Sequence, residues 1–136
     1  MARIMYVMLE YNSVNYYKKY DMSISKSVAD SAFMQAVMIK SQVFDIAASL
    51  PENELYQIRK RMLETVKDLD VTVIDGFSIK NRLERVRLFV NVVGRLMECM
   101  DYLDYVRKTS NYEVERVYKE IDELSNLLLV NSGTLN

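Results

Sequence analysis

Bond-making chemistry needs side chains that shuttle protons, attack as nucleophiles or hold a metal, and this chain is poor in all three. It has no histidine and a single cysteine, Cys99. Without histidine, the Glu-x-x-His pairs of di-iron bundles cannot form. One thiolate cannot build a structural zinc site within one chain. Carboxylates do recur at helical spacing, in Glu98, Asp101 and Asp104 and again in Glu120 and Glu123. Such oxygens suit magnesium, but a solvated helix face explains them more simply. The serines lack their usual base, and no lysine is obviously set in an apolar pocket to replace it. Gly76, Gly94 and Gly133 are too scattered to make a phosphate-cradling loop. No catalytic, cofactor-binding or metal-ligating residue is assigned, so the expectation is a protein that is not an enzyme, with no cofactor and no small-molecule substrate.

Charge offers more. Arg59, Lys60, Arg61 and Lys67 form one basic cluster; Lys80, Arg82, Arg85 and Arg87 form another. The second group is the candidate nucleic-acid contact, with Arg82 and Arg85 one helical turn apart, and the end of the preceding helix is expected beside it, near Lys67. Acidic residues alternate with both clusters: Glu64, Asp68, Asp70, Asp75 and Glu84. Mixed charge of this kind more often makes surface ion pairs, worth tenths of a kcal/mol each. The formal net charge of −1 gives no bulk attraction to nucleic acid or anionic lipid. Toward the C-terminus, Glu113, Glu115, Glu120, Asp122 and Glu123 outnumber Arg116 and Lys119. Protomers with one basic and one acidic side could use that complementarity head to tail in a ring.

The elements that must position these groups are helices. Three glycines and one proline are too few for a turn-rich sheet. Phe33, Ala36, Val37, Val43, Phe44 and Ala47 form the inward face of a first helix, with Ser27 or Ser31 as cap and Pro51 as its end. Pro51 and Glu54 then open a second helix. Leu55, Ile58, Met62, Val66, Leu69 and Val73 step by three and four down it to a stop at Gly76. Ser78 can cap a long third helix bearing Leu83, Val86, Val90, Val93, Met97 and Met100.

A second row, Phe89, Val92, Leu96, Cys99, Leu103 and Val106, widens that face beyond what one partner needs to hide. Phe89, Val92, Leu96 and Leu103 are therefore the candidate oligomer interface. Gly94 lies mid-helix, where glycine costs about 1 kcal/mol against alanine, so a close helix approach is expected there. Cys99 reads as a buried, inert thiol. "KTSN" at 108–111 breaks the pattern, with Ser110 or Asn111 as cap for a last helix carrying Val114, Val117, Ile121, Leu124 and Leu128. Residues 1–25 hold half of the tyrosines and follow neither a helical nor a strand period; they read as an extension that docks loosely or reaches a neighbouring subunit.

The stretch "LPENELYQIRKRM" followed by the pair "DG" resembles the four-helix bundle family of 23S rRNA intervening-sequence proteins, to which the accessory variability determinants of retroelements are related. Leu50, Pro51, Glu54, Tyr56 and Gly76 carry the resemblance, with Asp75 where that family usually has glutamate. Gly94 and Glu98 keep its later spacing, while Arg95 stands in place of a serine. The resemblance implies a homo-oligomer, commonly a pentameric ring of antiparallel protomers. For the retroelement branch it also implies a basic surface that binds nucleic acid beside a reverse transcriptase, and the acidic balance of this chain departs from that.

The expected architecture is all-α: an antiparallel up-down-up-down four-helix bundle over 26–136, preceded by an N-terminal extension over 1–25. The expected role is that of a homo-oligomeric structural or interaction protein. The alternative is a nucleic-acid-binding accessory factor working with a reverse transcriptase or ribosomal RNA. No run reaches the ~18–20 apolar residues of a membrane span. The start "MARIMYVMLEY" lacks a small-residue cleavage site. A cytoplasmic location without membrane contact is expected.

Overall fold

The computed structural model describes residues 26–51 and 55–132; the expected N-terminal extension, 1–25, lies outside the described residues. Five helices follow one another: α1 (Lys26–Ser49), α2 (Tyr56–Val66), α3 (Leu69–Ser78), α4 (Arg82–Ser110) and α5 (Glu115–Ser132). α2 and α3 share one apolar stripe across a two-residue turn, so they serve as one rod. The described residues thus build four rods and contain no strand.

Each rod packs chiefly on the two beside it. α1 lies against α2, α3 and α5, and α4 lies against the same three. Side-chain pairs fix the directions. Along α1, Gln35, Gln42 and Ser49 meet Glu123, Glu120 and Tyr112 in turn, so α1 and α5 run antiparallel. Phe77 packs edge-on to Phe89 at 5.0 Å between centroids, while Arg61 reaches Tyr102, so the second rod is antiparallel to α4. The bundle is up-down-up-down.

The core is the inner face of all four rods. α1 contributes Ala29, Ala32, Ala36 and Ala47 along with Phe33, Ile39 and Val43. Small residues let a neighbouring backbone approach, and the large ones fill the remaining space. Leu55, Met62, Val66, Leu69 and Val73 are buried as their spacing predicts, with Ile58 packed at the edge.

The second rod departs from expectation at Lys67 and Asp68. Just before the turn, the Thr65 hydroxyl donates to the Met62 carbonyl at 2.6 Å. Such local bonding competes with the helical ladder and bends it. Gly76 does not stop the helix; α3 continues to Ser78. Its role is spatial, because a Cβ at Gly76 would fall 2.1 Å from Phe89 Cε1.

The caps differ too. Asn81, not Ser78, caps α4 by accepting from the Glu84 amide at 3.1 Å, while the Ser78 hydroxyl donates back to Asp75. Asn111 closes α4 in the left-handed conformation (φ 52°), a role asparagine tolerates, and does not start α5. Ser27 and Ser31 both lie inside α1.

Candidate interaction surfaces

The two apolar rows of α4 part company. Phe89, Val92, Leu96, Cys99, Leu103 and Val106 are all buried within the chain's own bundle. The expected interface residues Phe89, Val92, Leu96 and Leu103 therefore have no surface to offer a second subunit. That reading is corrected. They face inward, toward the second rod, as the contacts of Phe89 with Gly76 and Phe77 and the Thr65–Cys99 hydrogen bond show.

The other row faces out. Leu83 is 58% exposed, Val90 49% and Met97 40%, while Val86, Val93 and Met100 sit half-buried along its edge. These six residues alternate steps of three and four, the seam spacing of paired helices. Among the described residues, α4 carries four of the eight exposed large hydrophobics, Tyr105 included; Met34, Tyr56, Val71 and Val130 are spread over the other rods. Isolated apolar residues on a surface are ordinary, but a spaced row on one helix is not. Beside it lies Gly94, exposed, with no atom of the described residues within 4 Å of where a Cβ would stand. The close approach expected at Gly94 is not made among the described residues.

The cations do not form one patch. Arg85 is buried, and its guanidinium donates to the Ile79 carbonyl at 2.9 Å, tying the α3–α4 connection to α4. It is thus spent on the fold and cannot serve as a nucleic-acid contact. Lys80, Arg82 and Arg87 remain exposed. Lys67 is not their neighbour: with Arg61 and Arg95 it lines a groove of about 620 Å³ between the second rod and α4. Glu64, Asp68 and Glu98 line the same groove, as do Thr65 and Tyr102, so three cations face three carboxylates and the field nearly cancels. The Tyr102 hydroxyl donates to Glu98 at 3.0 Å, and that bond is the main reason its ionisation is pushed up.

Four of the five carboxylates considered for magnesium, Glu98, Asp104, Glu120 and Glu123, are engaged elsewhere. Asp104 accepts from Arg107 at 2.6 Å and from Lys108 at 2.9 Å, and these partners hold its carboxyl below the usual range. Glu120 takes Gln42 and Arg116, and Glu123 takes Gln35. Among the described residues no cluster of three or more carboxylate or thiol groups is placed to hold a metal ion. Cys99 is fully buried; desolvation pushes its thiol up to about 11, against a smaller downward pull from the Thr65 hydrogen bond.

Sequence reasoning missed one inward carboxylate. Asp70 is nearly buried and pairs with Lys40 of α1 at 3.3 Å, joining α1 to α3. The signal was present, since Asp70 adjoins the stripe residue Leu69 and lies one turn before Val73. None of the described helices is long and apolar enough to cross a membrane. No family model, curated protein sequence or solved structure matches the chain.

Proposed function

We propose that the chain is a structural or interaction protein: a four-helix bundle that associates with itself and presents outer helix faces to a partner, catalysing no reaction. One observation supports this above the rest: α4 fills its core with one apolar row and still carries a second, Leu83, Val90 and Met97, in solvent. An exposed apolar row on an otherwise well-packed bundle is stabilised by covering it. The resemblance to the intervening-sequence proteins adds a homo-oligomer to this reading and favours a pentamer.

Sedimentation velocity across the micromolar range tests it. The expected species has a mass that is a multiple of 16.0 kDa. A species that stays at one chain mass up to the highest soluble concentration refutes self-association.

A second reading, a nucleic-acid-binding accessory factor beside a reverse transcriptase or ribosomal RNA, draws on Lys80, Arg82 and Arg87, which surround the exposed start of α4. It requires affinity for RNA that falls steeply between about 50 and 200 mM salt, because released counterions drive such binding. No binding at the low end removes it.

A further inference from the structure

The outer face of α4 is nearly symmetric in its chemistry about Gly94, and that symmetry identifies its occupant. In an antiparallel pair of identical helices related by a two-fold axis at Gly94, each residue meets the one equally far on the other side, to within one residue. It also meets it on the same flank of the contact, because the rotation that reverses the helix keeps its sides. Arg87 and Asp101 both point outward in line with Gly94, seven residues to either side. On one flank, Val90 lies four residues before Gly94 and Met97 three after it. On the other flank, Asn91 and Glu98 are similarly matched, and Leu83 and Tyr105 lie in line with Gly94, eleven residues to either side.

We propose that two copies of this chain pair through the outer face of α4, antiparallel about Gly94. The proposal rests on the self-association reading and gives it a two-fold geometry, which closes as a pair and so departs from the pentamer that the resemblance favours. In this pairing Arg87 meets the partner's Asp101, and Val90 meets the partner's Met97. Asn91 offers its amide to the partner's Glu98, and Leu83 packs on the ring of the partner's Tyr105. Two-fold symmetry makes each of these contacts twice.

A parallel pairing would set Arg87 on Arg87 and Asp101 on Asp101, repelling at two levels, so the charges select the antiparallel arrangement. Gly94 completes the argument. Mid-helix glycine is unfavourable, and no atom of the described residues needs the space. A helix crossing at that point does, since the missing Cβ lets two backbones approach closely.

Two experiments on the full chain test this. Chains with Val90→Cys are mixed with chains carrying Met97→Cys and oxidised, and the bonded peptides are identified by mass. The antiparallel register places 90 and 97 side by side across the contact. It separates 90 from 90 by roughly 12 Å and 97 from 97 by roughly 9 Å along the axis, beyond disulfide reach. The expected product is the 90–97 bond in the mixture and little bond within either variant alone. The buried thiol of Cys99 stays out of the exchange.

In the second experiment, Arg87→Asp and Asp101→Arg are made singly and together. Each reversal is expected to weaken the dimer at least ~10-fold and the pair to restore it, because two symmetric contacts change sign at once. A 90–90 or 97–97 bond overturns the proposal, as does a double reversal no better than the single ones. If the wild-type chain is itself monomeric, self-association and its geometry fail together. If it is oligomeric yet shows neither the 90–97 bond nor the charge rescue, the geometry alone fails.

Discussion

Replacing Gly76 and Gly94 with alanine should shift stability in opposite directions, although both glycines lie inside helices. At Gly76 the new Cβ would stand 2.1, 2.8 and 2.9 Å from three carbons of the Phe89 ring, all well inside van der Waals contact. That ring has nowhere to retreat, being fully buried and packed at 61° against Phe77. Overpacking of this kind costs about 1–3 kcal/mol. Alanine returns up to about 1 kcal/mol of helix propensity. Gly76→Ala is therefore expected to lose about 1–2 kcal/mol, a melting point lower by roughly 3–8 °C for a chain of this size. At Gly94 no described residue objects, so Gly94→Ala keeps the propensity gain of about 1 kcal/mol when measured in dilute protein. Thermal and urea unfolding followed by circular dichroism read both. Adding Phe89→Leu to Gly76→Ala should recover part of the loss and show coupling in a double-mutant cycle. If Gly76→Ala is as stable as the wild type, or its cost is independent of residue 89, the packing account of Gly76 is wrong.

Three further outcomes follow from the buried and paired groups. Lys40→Met should cost more than Asp70→Asn, roughly 2–3 kcal/mol against about 1, because the Asp70 side chain is only 10% exposed and Lys40 25%; equal losses in urea unfolding would contradict this. Cys99 should be unreactive toward a disulfide reagent in the native state and react at once in denaturant, since burial and a thiol pushed up to about 11 leave almost no accessible thiolate at neutral pH; fast native labelling would refute its placement. Asp104 is held below the usual carboxylate range by Arg107 and Lys108, so its ion pairs contribute fully above the ordinary aspartate pKa and are lost as pH falls through the lowered value. An NMR titration of the Asp104 carboxyl should show a midpoint below that of a free aspartate; a normal or raised midpoint would contradict the pairing.

The four-rod architecture was legible because apolar spacing and helix punctuation agree along most of the chain. Residues 55, 62, 66, 69 and 73 are buried in the order their spacing dictates. What periodicity could not do was choose between the two rows of α4. Leu83 to Met100 and Phe89 to Val106 are both apolar and both helically spaced, and only the position of the neighbouring rods decides which is covered. A three-residue connection and the Gly76–Phe89 contact set that angle, and neither announces itself in composition. The basic cluster misled for a similar reason. Arg85 shares a face with the buried row, being one turn before Phe89, so its guanidinium turns back to the Ile79 carbonyl. The turn at Lys67 and Asp68 left no mark on the apolar stripe, which runs straight through it, and its cause lies in a hydroxyl one turn earlier.

The most direct test of the account compares two adjacent residues of α4. Leu96 is fully buried and Met97 is 40% exposed, one in each apolar row. Circular dichroism and sedimentation velocity are run on Leu96→Asp and Met97→Asp. The account predicts that Leu96→Asp fails to fold, while Met97→Asp keeps the helical spectrum and sediments as a single 16.0 kDa chain where the wild type is larger. A folded oligomer of unchanged mass from Met97→Asp, or a folded monomer from Leu96→Asp, would contradict it.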